Sequence, residues 1–325
     1  MQCPKCGHEQ PEQLDECLRC GIIFAKLREA PTGAEIPGDD DYFQDQTASE
    51  WEQGPERYSE HISYQAFDDD EDDVLAPSSI TKMGWISLGV GVGIALMLSA
   101  SSFLNFILHP LITMVHELGH SIFAWLAGIP TIPAFDFNEG GGYAIHLHSK
   151  PSYLLITVLY GLLGYGIYMY REHRPGLFFF SGLTIIYTVY FFTSLDNVIV
   201  LFMGHGTELL FAGIFLYRGI SGWGCVHSAE QPLYAGLGIW IIINRLNFTW
   251  KLLHDRGEQF LYKQGKAFCA NDFVLISEHY LRTTRLQPVL TFFLLCCLIT
   301  PLISFLIYRY RKYIHEGLVI LFVRE

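Results

Sequence analysis

Uncharged apolar runs recur along this 325-residue chain at 84–108, 152–170, 176–195 and 287–308. Each meets or approaches the ~20 residues needed to cross the hydrocarbon core of a bilayer. Two further apolar stretches carry ionisable groups: about 109–128, with His116, Glu117 and His120, and about 197–217, with His205 and Glu208. A seventh, 231–244, is short; it spans at a slant, lies in the interface, or is part of a longer span. The pattern predicts a mostly α fold, a polytopic membrane helix bundle of six to seven spans occupying residues 81–325. Between 129 and 150 the period shortens to two. Alternation on both sides of Gly140-Gly141-Gly142 predicts a small hairpin, with His146 and His148 on one face of its second strand. A strand pair of this kind is ordinarily solvent-facing. Residues 245–287 mix Trp250, Leu252, Leu253, Phe260, Leu261 and Phe268 with charges, which predicts an interface-lying helix or a small cap. Asp272, Glu278 and His279 lie there without a recognisable ligand spacing.

Composition agrees with a membrane protein on average, at 50% hydrophobic residues, but the average hides a division. Residues 26–80 hold 16 acidic and three basic residues, a net charge of −13 against −12 for the whole chain. The acidity therefore belongs to this segment and says nothing about the apolar part. Pro31, Gly33, Pro37 and Gly38, then Asp39-Asp40-Asp41 and the acidic run 68–73, read as a disordered linker, because charge this dense cannot bury a core. Tyr42, Phe43, Trp51, Tyr58, Tyr64 and Phe67 interleave with the acids and leave room for a short segment that binds a protein partner.

The first 25 residues contain Cys3-Pro4-Lys5-Cys6 and Cys17-Leu18-Arg19-Cys20, with Gly7 and Gly21 directly after each pair. Two such knuckles supply four thiolates for a tetrahedral structural zinc site, and the glycines permit the turn beneath each pair. Two disulfides or a redox pair are the alternatives, and no strand–helix context supports the latter. The segment resembles the zinc-ribbon family. Its basic residues are few and the acidic linker would repel phosphate, so a protein partner is expected and nucleic acid is not. Cys225, Cys269, Cys296 and Cys297 show no ligand spacing. The polar, cysteine-rich amino terminus carries no cleavable signal pattern. Basic residues flanking the spans are nearly balanced: Lys82, Lys150, Arg245, Lys251 and Arg256 against Arg171, Arg174, Arg218, Arg309, Arg311 and Lys312 if all seven stretches cross. Reduced thiols favour a cytoplasmic amino terminus of this integral, multi-pass protein.

His116-Glu117-Leu118-Gly119-His120 is the most informative string. On a helix it sets two imidazoles four residues apart on one face, where both can bind one zinc ion, with Glu117 placed to deprotonate a water. Ionisable groups at bilayer depth are expensive, which favours a metal site over interior hydrogen-bonding glue. A catalytic zinc needs a third protein ligand and an open position. Asp196, at the junction of two apolar runs, and His205, three residues before Glu208, are the candidates. On an unbroken helix they are nine residues apart and face opposite ways.

A transmembrane HExxH, a glycine-rich loop after it and the later Leu195-Asp196 resemble the site-two protease family of intramembrane zinc metalloproteases over roughly residues 105–215. The resemblance implies hydrolysis of peptide bonds in or near transmembrane segments of membrane-protein substrates, a catalytic zinc on His116 and His120, and Asp196 as third ligand. Asn197 in place of a glycine, and Gly204-His205-Gly206, depart from the family pattern and leave His205 open as the ligand. A scaffold that keeps the metal-site helix without catalysis, or a zinc hydrolase acting on another lipid-embedded substrate, are the rival expectations.

The ribbon generates its own test. A peptide of residues 1–30 should gain structure on adding one equivalent of zinc and lose it with chelator, since its four thiolates complete a ligand set. Recovery of two disulfides from protein kept under reducing conditions would rule the site out.

Overall fold

The computed structural model describes residues 77–136, 141–147, 150–265 and 271–323. The ribbon cysteines Cys3, Cys6, Cys17 and Cys20, residues 26–76 of the acidic linker, His148 and Cys269 lie outside the described residues. What is described is mostly helical, and four of its helices are long and apolar enough to cross a membrane. These are α1 (Lys82–Ala100), α4 (Arg174–Phe192), α5 (Leu195–Ser221) and α9 (Gln287–Arg309). Between them lie α2 (Ser102–Leu126), β1 (Thr131–Asp136), β2 (Gly141–His146), α3 (Tyr153–Met169), α6 (Glu230–His254), α7 (Arg256–Gln264) and the one-turn α8 (Asp272–Leu275). A π-helical turn, Ile276–Tyr280, continues α8, and α10 (Arg311–Phe322) ends the described chain.

The apolar run 84–108 is not one helix. It breaks at Ser101, whose extended backbone ends α1 and whose hydroxyl accepts from the Leu104 amide (3.3 Å) to cap α2. Serine is nearly neutral on a hydropathy scale, so the apolar pattern runs through the break unmarked. Gly84 lies against Ile220, and Ala95 and Leu98 share a cluster with Ile112, Ala212 and Leu216. His120 meets Val200 and His116 meets Glu208, so α2 is antiparallel to α5.

The stretch 231–244 belongs to α6, a 25-residue helix between α1 and α5. Small residues let the three backbones close: a Cβ on Gly236 would meet Ile94 at 2.7 Å, and one on Gly91 would meet Ala235 at 2.7 Å. Such small-residue interfaces are how helices associate where lipid removes the hydrophobic incentive. Around them Ala95, Ile112, Ala212, Leu216, Trp240 and Ile241 form one core cluster. A second cluster joins Leu209 of α5, Leu252 of α6, Val289, Leu290 and Phe293 of α9, and Phe273, Val274 and Ile276 of the 272–280 segment. The expected cap is therefore in part a core element, with Phe273 fully buried.

The expected hairpin is present as an antiparallel pair in register from Thr131 opposite His146 to Asp136 opposite Gly141. It packs on α2. Ser78 N–H donates to the Arg309 carbonyl (2.8 Å) and Tyr308 Oη to the Ser79 carbonyl (2.9 Å), which joins the start of α1 to the end of α9. Lys82 therefore sits at the same end of the bundle as Arg218 and Arg309. Arg245 is no flanking charge at all: it points inward, into an ion pair. The sequence-based charge balance changes on both counts. The α3–α4 pair leaves Phe178, Ile185, Ile186 and Phe192 exposed, as lipid-facing helices do.

Close approach at Gly236 is measurable. Gly236→Val should lower the melting temperature in detergent by several degrees, since overpacking of this kind costs about 1–3 kcal/mol. Gly161→Ala, with nothing within 4 Å of the added carbon, should leave it unchanged. Equal melting points would refute the α1–α6 contact.

Candidate metal centre

Three segments distant in sequence supply the centre: the HExxH face of α2, the middle of α5 and the start of α8. Contact between α2 and α5 requires glycine at two places. A Cβ on Gly119 would collide with the Met203 carbonyl and the Thr207 side chain, and one on Gly204 would collide with the Nε2 atoms of both His116 and His120. The glycines at 119 and 204 thus bring the α5 backbone directly against the motif. From the other side, burial of Phe273 against the His205 ring (centroids 4.6 Å apart) and against Phe293 (5.3 Å) seats Asp272 at the same spot.

His116 Nε2, His120 Nε2 and Asp272 Oδ2 form a triangle with edges of 3.0, 3.1 and 3.2 Å. The opposite ring atoms decide what these three present to one another. His120 Nδ1 is 2.7 Å from the Val200 carbonyl, which only accepts, so Nδ1 carries the proton and Nε2 a lone pair. His116 Nδ1 is 3.0 Å from Glu208 Oε1, and Glu208 in turn lies 3.1 Å from the Arg245 guanidinium, so the same tautomer follows. Asp272 adds a carboxylate oxygen, which accepts and does not donate when ionised. Two imidazole lone pairs and a carboxylate oxygen thus converge, three atoms that can each ligate a metal ion. Ligands on tetrahedral positions at ~2.0–2.2 Å from zinc sit about 3.3–3.6 Å apart. The observed edges are slightly contracted from that, and the donor set, two nitrogens and one oxygen, suits zinc.

A wider group also comes together: ligand atoms of His116, His205 and Asp272 lie within 4.8 Å of one another. The triangle with His120 is tighter, and His205 Nδ1 is turned 3.3 Å toward Glu208 Oε2, with its ring 4.4 Å from that of His116. His205 packs and hydrogen-bonds beside the centre. Asp196 does not join it. In the first turn of an unbroken α5, its Oδ1 accepts from the backbone and side-chain amides of Asn197 at 2.7 and 2.8 Å. Nine helical residues carry it about 13–14 Å along the axis from His205 and to the other face. The carboxylate that meets the two histidines is Asp272, on a segment where sequence spacing marked nothing.

Glu117 completes the surroundings. It is buried, 7% exposed, and the β2 backbone crosses over it: a Cβ on Gly142 would collide with its side chain. A cavity beside it is lined by Thr113, His116, Glu117, His120, Gly142 and Asp272. His146 also lines this cavity, with Nδ1 2.9 Å from Thr131 Oγ1. Compared with protein-family models, curated proteins and solved structures, the chain matches none.

Zinc stoichiometry separates the carboxylates. In a full-length background with Cys3, Cys6, Cys17 and Cys20 changed to Ser, Asp272→Ala should lose the metal that the parent binds, whereas Asp196→Ala and His205→Ala should retain it. Loss in Asp196→Ala with retention in Asp272→Ala would restore the family-like arrangement.

Proposed function

We propose that the protein is an intramembrane zinc metalloprotease that hydrolyses peptide bonds in or near transmembrane segments of membrane proteins. What carries this reading is the convergence of His116 Nε2, His120 Nε2 and Asp272 Oδ2 within 3.2 Å, with Glu117 beside them in an apolar bundle. His116, His120 and Asp272 would hold the ion, and three protein ligands leave a fourth position open, as catalytic sites do and structural ones do not. Zinc there supplies water with a pKa near ~7 and polarisation of the scissile carbonyl.

The chain's own residues do the rest. Glu117, buried and next to His116, accepts the proton of the attacking water and returns it to the leaving nitrogen. A helix hides its own amides, so the substrate must be locally extended to react. The β2 strand, passing over Glu117 with Gly141 and Gly142, offers main-chain groups along which an extended segment can lie by strand addition.

This reading keeps six to seven crossings, and the Ser78 bond to Arg309 puts the start of α1 and the end of α9 at one end of the bundle. The amino-terminal ribbon binds a second, structural zinc on Cys3, Cys6, Cys17 and Cys20, and the acidic linker tethers it. The amino terminus lies on the cytoplasmic side in this reading.

Glu117→Gln tests catalysis directly. In proteoliposomes carrying single-pass model substrates, the variant should keep its zinc and lose cleavage by a factor of about 10²–10⁴, the usual contribution of a general base. Cleavage at the parent's rate would remove Glu117 as the general base, and no cleavage by the parent on any substrate while zinc is bound would favour a metal-holding scaffold instead.

A further inference from the structure

We infer that Glu208, held by Arg245, is a positioning residue for the metal centre, fixing His116 so that its Nε2 lone pair faces Asp272 and His120. This rests on reading the centre as a zinc site. An imidazole presents Nε2 to a metal only if Nδ1 carries the proton, and that proton needs an acceptor on the far side of the ring. The two histidines obtain theirs differently. His120 uses the Val200 carbonyl at 2.7 Å, a backbone atom present whatever the side chains are. His116 depends on a side chain from another helix, Glu208 Oε1 at 3.0 Å.

Glu208 is among the most deeply buried acids described, at 2% exposure, and its surroundings fix which oxygen goes where. His205 Nδ1 approaches Oε2 at 3.3 Å, which leaves Oε1 to His116. Arg245 NH1, from α6, reaches Oε2 at 3.1 Å and Oε1 at 3.3 Å and supplies the counter-charge that a carboxylate at this depth requires. The Arg245 head lies 5.5 Å from the Phe248 ring centre. The chain of contacts therefore runs from α6 through α5 to a ligand on α2. Helix glue alone would need the Arg245–Glu208 pair but would be indifferent to the His116 proton.

Two charge-neutral double variants distinguish these roles in the full-length protein lacking the four ribbon cysteines. Glu208→Gln with Arg245→Met keeps a carbonyl acceptor for His116 Nδ1–H; Glu208→Leu with Arg245→Met removes it. Both eliminate the buried pair, so folding effects are shared, and melting temperatures check this. The readouts are zinc affinity by chelator competition and the visible spectrum of the cobalt-substituted protein. The Leu variant should bind zinc 10- to 100-fold more weakly than the Gln variant, the range typical for loss of an outer partner of a ligating histidine, with an altered cobalt band. Equal affinities and identical spectra would overturn the positioning role. A parent that binds no zinc, or binds it equally after Asp272→Ala, would instead remove the metal-centre reading, and this inference with it.

Discussion

Charged and imidazole groups inside an apolar bundle must find polar partners there, because lipid offers none. His116, His120, His205, Glu208, Arg245 and Asp272 meet that demand as a single connected group. Taking one member of such a buried pair away leaves an uncompensated charge, at a cost of about 3–5 kcal/mol. That demand sets the register of α2 against α5, the depth of α6 beside them, and the point at which the 272–280 segment enters. It also explains why three helices carry polar residues inward while their other faces stay apolar.

The packing around the group is arranged to make those contacts short. Glycines at 119 and 204 let α2 and α5 approach until the Nε2 atoms of the motif touch the α5 backbone. Phe273, buried against His205 and Phe293, anchors Asp272 from a segment that otherwise lies among amphipathic, water-facing sequence. On the opposite side, Gly142 brings the hairpin over Glu117. Apolar burial thus positions each polar group, and the polar groups in turn select one way for the apolar helices to pack.

The centre also differs from what the site-two protease resemblance implies. There the third ligand belongs to a later membrane helix; here Asp196, the matching position, is engaged with Asn197, and Asp272 meets the histidines from a short helix after α7. Asp272 is tied to the bundle mainly through the core contacts of Phe273, Val274 and Ile276 that follow it. In the proposed zinc site, loosening that small cluster would withdraw the third ligand.

Period and composition were enough for the broad architecture: apolar runs for helices, alternation about a glycine triplet for the hairpin, HExxH for one face with two imidazoles. These are local patterns, each contained within one element, and local patterns survive in a linear sequence. The break at Ser101 did not show, because a capping hydroxyl is neither apolar nor charged. The true extent of α6 was hidden by Asn244 and Arg245, which look like the end of a span until Glu208 is seen to receive the guanidinium. Asp272 was the least legible of all. It stands 152 residues beyond His120 with no spacing relation to it, and only the burial of Phe273 against α5 and α9 brings it to the histidines. The choice between Asp196, His205 and Asp272 is a matter of which side chains share a point in space, and that is decided by helix phase and interhelical packing, which no single element encodes.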